Sequence, residues 1–227
     1  MRWILGWAVA GAVVALGGCD VRDALSGKAE LTGKVKEVVD RTHTTRTSYS
    51  VYYSNWTLNN EGVGADHWTA EFHDGVHHRV ETADLRLVAD CQALTGSGLS
   101  VGGGPSPLTG AAAARAACGI DANIPVTDFA YLGVVDTPWG SADRVRLTND
   151  AISRIYDINK DGVIVGERWY KNAPGHATVL KQTIFALTSS VSSPDMFEEA
   201  SLNKSFTPDQ YKTTPGLQVA ATIPGHQ

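Results

Sequence analysis

A two-residue rhythm restricts the fold of this chain more than any other feature. It runs from position 48 to 190 and is cut at short intervals by glycine, proline, asparagine and aspartate. Tyr49, Val51 and Tyr53 alternate with Ser50, Tyr52 and Ser54, so each set lines one face of an extended strand over 48–58. Further extended runs fall at 85–89, 126–135, 143–148, 152–158, 163–170 and 178–190. Between them stand Thr137-Pro138-Trp139-Gly140, Asn159-Lys160-Asp161-Gly162 and Asn172-Ala173-Pro174-Gly175, each suited to a turn. Connections this short join antiparallel neighbours, and the expectation is a mainly β protein built on an antiparallel meander.

The register of the hairpin over 67–82 can be argued from its side chains. A two-residue loop would set Phe72 beside His77 and Trp68 beside Glu81. A three-residue loop of His73, Asp74 and Gly75 pairs Phe72 with Val76, Ala70 with His78 and Trp68 with Val80. The second keeps Trp68, Ala70, Phe72, Val76 and Val80 on one buried face and turns Glu71, His77 and Arg79 to solvent, and it is the register expected.

Helical spacing is confined to a few places. Leu31, Val35, Val38 and Val39 share one face of an amphipathic helix over 29–40. Residues 96–110, rich in glycine, read as a loop; 111–117 read as one or two helical turns, and 194–198 as a short helix. The tail 212–227 reads as disordered, leaving 29–211 as a single β-rich domain.

The start of the chain has a different character. Arg2 precedes an uncharged apolar run over 4–16, and small residues follow, which is the layout of a secretory signal over 1–18. A spanning helix needs roughly 20 apolar residues, more than this run supplies. Leu16-Gly17-Gly18-Cys19 resembles the lipobox of bacterial lipoproteins, which implies that Cys19 carries the lipid and begins the mature chain. Asp20 resembles the inner-membrane retention signal of enteric bacteria, so the envelope is the expected location, with the inner membrane favoured. Residues 19–28 read as a tether, in which the nine residues from Asp20 to Lys28 reach at most about 30 Å when extended. Removal of residues 1–18 takes away one cation and lowers the formal charge from −5 to −6. A mildly acidic chain without Lys/Arg clusters argues against nucleic acid as a partner.

With Cys19 lipidated, Cys91 and Cys118 remain in a compartment that permits disulfides. They are expected to pair and to close a Gly/Ala-rich insertion, two buried free thiols being the alternative. CxxC spacing is absent.

One helix followed by eight or nine antiparallel strands, with Pro194-Asp195-Met196-Phe197 after the last long strand, resembles the LolA-like lipoprotein-carrier half-barrel family. The resemblance covers 29 to about 202 and rests on element order. It implies a curved sheet with the N-terminal helix packed on it, holding an apolar ligand or a lipidated partner. The bridged insertion departs from the simplest members. The aromatic residues Tyr49, Tyr53, Trp68, Phe72, Tyr156 and Phe185 are plain core in a packed sheet and the candidate ligand-binding set in a half-barrel.

Other sites weigh less. His67, His73, His77 and His78 could ligate zinc or copper, but alternation sends them to different faces, and polar cross-strand pairs account for the cluster. The run 157–164 matches the opening of a calcium loop, yet Arg168 stands where the bidentate glutamate belongs. No metal or other cofactor is therefore expected. The signatures GxSxG, HExxH and a phosphate-binding glycine loop are missing. The functional expectation is a tethered, non-enzymatic binding protein. An envelope assembly subunit with a packed core is the second class, and a hydrolase whose site forms only in three dimensions the third.

Overall fold

The computed structural model describes residues 29–45, 47–58, 64–121, 124–172, 178–191 and 193–212. The expected export segment, Cys19, the expected tether and the tail from 213 lie outside the described residues. Among those described, no helix is long and apolar enough to cross a membrane.

Among the described residues, ten antiparallel strands form one open sheet. They are β1 (Tyr49–Leu58), β2 (Gly64–Asp74), β3 (His77–Thr82), β4 (Leu85–Asp90), β5 (Thr95–Ser100), β6 (Asp128–Thr137), β7 (Gly140–Thr148), β8 (Ile152–Asn159), β9 (Ile164–Lys171) and β10 (Thr178–Thr188). Their spatial order is β5-β4-β3-β2-β1-β10-β9-β8-β7-β6. Two local meanders are thus joined at the centre by the pairing of β1 with β10, and β5 and β6 remain as edges. Among the described residues the sheet is not closed into a barrel.

Each half carries a helix. Helix α1 (Gly33–Asp40) buries Val35, Val38 and Val39 against Val145, Leu147, Tyr156 and Ile158 of β7 and β8. It begins later than its apolar spacing suggests, because the Ala29 amide bonds the Val126 carbonyl at 2.6 Å and holds the preceding residues out of the helix. Helix α2 (Gly110–Ala117) buries Ala113, Ala114 and Ala117 over Leu87 and Ala89 of β4. Cys118 at its end is bonded to Cys91 after β4, closing the expected disulfide.

Two expectations need correction. The first half of the glycine-rich segment is strand β5, not loop. A Cβ at Gly96 would lie 2.6 Å from the Val88 carbonyl and 3.1 Å from Ala113 Cβ, and one at Gly98 2.7 Å from a Leu87 methyl. Gly96 makes room for the alanine face of α2 and Gly98 for Leu87 and the Leu108 backbone just before that helix, a packing role that composition alone reads as flexibility.

The hairpin register is also different. Asp74 pairs with His77, Phe72 with Arg79 and Ala70 with Glu81, around a two-residue turn of Gly75 and Val76. Gly75 has φ +60°, at the position where a II′ turn calls for glycine. Thr45 N donates to the Gly75 carbonyl and Cys91 N to the Val76 carbonyl, which pins the turn from outside. Trp68, Ala70 and Phe72 do share a face, but Arg79 shares it with them instead of facing solvent. Val80 lies on the opposite face against the α2 cluster. His77 is exposed as expected, whereas Glu71 is only partly so.

Burial of Arg79 and Glu81 is possible because the C-terminal segment 191–211 crosses this face. It comprises short 3-10 turns at Pro194–Phe197, Glu199–Asn203 and Asp209–Tyr211. Met196, Phe197, Phe206 and Tyr211 pack on Tyr52, Ala70 and Phe72. Arg79 and Glu81 are 0 % exposed and bonded at 2.7 Å. Arg79 also donates to the carbonyls of Met196 and Lys204 and to Ser201 Oγ. Glu81 accepts from the Ser205 and Thr207 hydroxyls and from the Phe206 and Thr207 amides. Burial alone would push the Glu81 carboxyl up; its hydrogen bonds, with Arg79 among the donors, more than reverse this and hold it below its ordinary value.

Glu81→Ala should therefore cost about 3–5 kcal/mol, because it leaves the guanidinium buried without its partner. Chemical denaturation checks the magnitude, and limited proteolysis within 193–207 checks release of the segment. The stabilisation from Glu81 should be complete above the unfolded carboxylate value of about 4.3 and be lost as pH falls through the lowered folded value.

Candidate functional site

On the other face of the sheet, each helix covers one flank. Between them the central strands turn Val51, Tyr53 and Asn55 of β1 and Thr69, Glu71 and His73 of β2 to a common side, by their register. Thr183 and Lys181 of β10, Glu167 and Trp169 of β9, and Arg154 and Tyr156 of β8 continue it. Thr69, Glu71, Glu167, Trp169 and Lys181 are only partly buried. An aromatic floor with ionic groups above it is the result.

Hydrogen bonds order this face in two groups. Tyr53 donates to Glu71 Oε2 at 3.1 Å and also reaches the Ile164 carbonyl. Glu71 Oε2 stands 3.3 Å from His73 Nε2, and His73 Nδ1 3.4 Å from His78 Nε2. The His78 Nδ1 lies 3.3 Å from the Ala117 carbonyl. Burial, then His73, pushes the His78 ring well below the ordinary histidine value, so it is neutral at pH 7. In the second group, Glu167 accepts from Trp169 Nε1 and pairs with Lys181, whose ammonium sits 5.2 Å from the Trp169 ring. Arg154 is buried, and its Nε and one Nη have no hydrogen-bond partner among the described residues.

The aromatic residues singled out by the alternation divide between the two faces. Tyr49, Tyr53 and Tyr156 lie on the helix-bearing side, where Tyr49 donates to Asp161. Phe185 pairs with Tyr53 along the backbone, and its side chain is outside the description. Trp68 and Phe72 lie on the opposite side beneath the C-terminal segment. Trp169, Glu167, Lys181 and Arg154 join the site without having been expected there; their alternate placing along β8, β9 and β10 is the only sequence signal for them.

The four clustered histidines also separate. His67 and His77 are exposed, while His73 and His78 are buried together. His77 borders an open cleft of about 350 Å³ with Asp90, Thr95, Ser97, Phe197 and Glu199 on the strapped face. In the turn after β8, Asn159 Oδ1 accepts from the Asp161 and Val163 amides, Asp161 accepts from Tyr49, and Arg144 grips both oxygens of Asp157. The oxygens that a calcium loop would turn to an ion are committed to the protein itself. Gly162 is required there, since a Cβ would meet the Arg41 carbonyl at 2.1 Å.

No family model matches the chain, and no curated protein matches it. An uncharacterized conserved protein from Thermus thermophilus is similar with TM-score 0.47 and 12 % identity, over 74 % of this chain and 94 % of its own. A LolA superfamily protein from Nitrosomonas europaea gives 0.34 and 6 %, over 74 % and 99 %. A DUF1329 family protein from Desulfovibrio piger gives 0.30 and 12 %, over 75 % and 100 %. None of these three reaches a TM-score of 0.5, too low a likeness to carry a function across.

Tyr53→Phe removes a buried hydroxyl and leaves Glu71 one donor short, so it should cost about 1–2 kcal/mol by chemical denaturation. Burial, reinforced by Glu71 and Glu167, holds the Tyr53 phenol well above its ordinary value. Its contribution is full below an unfolded value of about 10 and is lost as pH rises through the raised folded value. Ultraviolet titration should accordingly show Tyr53 ionising only as the protein unfolds in alkali.

Proposed function

We propose that this chain is a lipid-anchored envelope protein that binds an amphipathic molecule with an apolar body on the inner face of its open sheet. The single observation that carries this is the stretch between the two helices, where Trp169, Glu167, Lys181, Glu71 and Thr69 of neighbouring strands face the same way and remain partly accessible. Trp169 offers apolar contact above the buried Tyr156 and Arg154, and Lys181, paired with Glu167 at the rim, offers a donor to a polar head. The anchor rests on the lipobox at Cys19. A second reading, an assembly subunit docking through a sheet edge, is favoured by β6, where Val134 is 65 % and Tyr131 38 % exposed.

Native mass spectrometry of the detergent-released protein, followed by lipid extraction, should find a co-purifying apolar molecule. Trp169→Ala should lower its occupancy several-fold while changing stability little, since Trp169 is partly exposed. A ligand-free protein with an intact fold would sink the binding reading. Radiolabelled palmitate should mark the wild type and not Cys19→Ser; equal labelling would remove the anchor.

A further inference from the structure

His78, Cys91 and Cys118 are brought together by three separate elements, each place set by packing. His78 lies on β3 opposite Ala89 of β4, Cys91 follows β4, and Cys118 ends α2. One ring nitrogen of His78 and the two sulfurs lie within 4.8 Å of one another, and all three residues are buried. From this geometry we propose that, when the disulfide is open, Cys91, Cys118 and His78 form a binding site for a thiolate-seeking divalent cation of the Zn²⁺ type.

Zinc takes sulfur at about 2.3 Å and imidazole nitrogen at about 2.0–2.1 Å, so tetrahedral donor atoms sit roughly 3.3–3.8 Å apart. The ring nitrogen, no more than 4.8 Å from either sulfur, has only a short approach to make. The sulfurs have to move apart once their bond opens, which rotation about the two Cα–Cβ bonds allows. Ala117 O can only accept, so it takes the His78 Nδ1–H and orients the ring before an ion arrives, and the ion would replace His73 at the lone pair of Nε2. His73 is also the side chain placed to reach a fourth position or to support the ring. This cluster is separate from the Trp169–Lys181 stretch and does not depend on how that stretch is used.

The chemistry balances with a named reductant. A dithiol of the thiol–disulfide exchange class transfers two electrons and two protons to the S–S bond and is itself oxidised to a disulfide. The two thiols then release two protons as their sulfurs bond to the cation. Oxidation by a disulfide donor expels the ion and restores the bond, so metal and disulfide exclude each other.

The test uses the full-length chain carrying Cys19→Ser, in which Cys91 and Cys118 are the only cysteines. A phosphine reductant opens the bond with water, becoming phosphine oxide, and Co²⁺ serves as the probe. The reduced chain should take up one equivalent with near-ultraviolet thiolate-to-cobalt absorption, and Zn²⁺ should abolish that absorption by displacement. The disulfide form should show none. His78→Gln should weaken binding by more than the roughly 10–100-fold expected for losing an outer-shell partner. Circular dichroism on each sample reads whether the sheet is retained. Equal cobalt binding by the reduced and disulfide forms, unchanged affinity in His78→Gln, or a reduced chain that loses its β spectrum and does not regain it with metal would each overturn the proposal.

Discussion

The buried pairing of Arg79 with Glu81 is the interaction on which the arrangement of the two faces depends. A desolvated ion pair is retained only where its remaining donors and acceptors are met, and here backbone and hydroxyl groups of residues 196–207 meet them. Those partners come from a segment with little regular structure of its own. The pair therefore fixes where the C-terminal segment lies, and the segment seals Phe72, Ala70 and Tyr52, while on the helix-bearing face Thr69, Glu71, Glu167, Trp169 and Lys181 stay only partly buried. Phe206 adds to this by placing its ring 4.9 Å from the Arg79 guanidinium.

The disulfide does comparable work on the other flank. It joins the end of α2 to the end of β4 across 27 positions. In the chain-entropy account, a closure of that length restricts the unfolded chain by about 3–4 kcal/mol. The alanine face of α2 offers little apolar area for holding a helix down. A covalent link makes up for what small side chains do not supply. Gly96 lets the helix lie close on β5, since a Cβ there would be 3.1 Å from Ala113 Cβ.

Much of the strand layout was legible in the sequence because period-two alternation survives wherever one face is covered. The strands near Tyr49, Ile152 and Thr178 begin within a residue of where that alternation places them. What alternation could not give was which face of the 67–82 hairpin carries charge. That inference assumes one wet face, and here α2 covers one side and residues 191–211 the other. Arg79 and Glu81 look like solvent residues until the segment that satisfies them, more than a hundred positions later, is in place. Strand β5 was hidden for a related reason: its glycines answer to a neighbouring helix, which composition does not record. The proximity of His78 to both cysteines was equally illegible, since it depends on strand pairing and on where α2 ends.

The central joint between β1 and β10 also shapes how the protein comes into being. Each half of the sheet is a succession of neighbouring strands, so its pairings close short loops and form quickly. The joint links residues more than 120 positions apart and cannot form until β10 has emerged. During synthesis the first half is therefore a nearly finished sheet with β1 as a bare edge, held open for a strand that arrives last. An unpaired edge of that kind invites pairing with other chains. The interval between the appearance of β1 and that of β10 is the time in which this protein needs an escort.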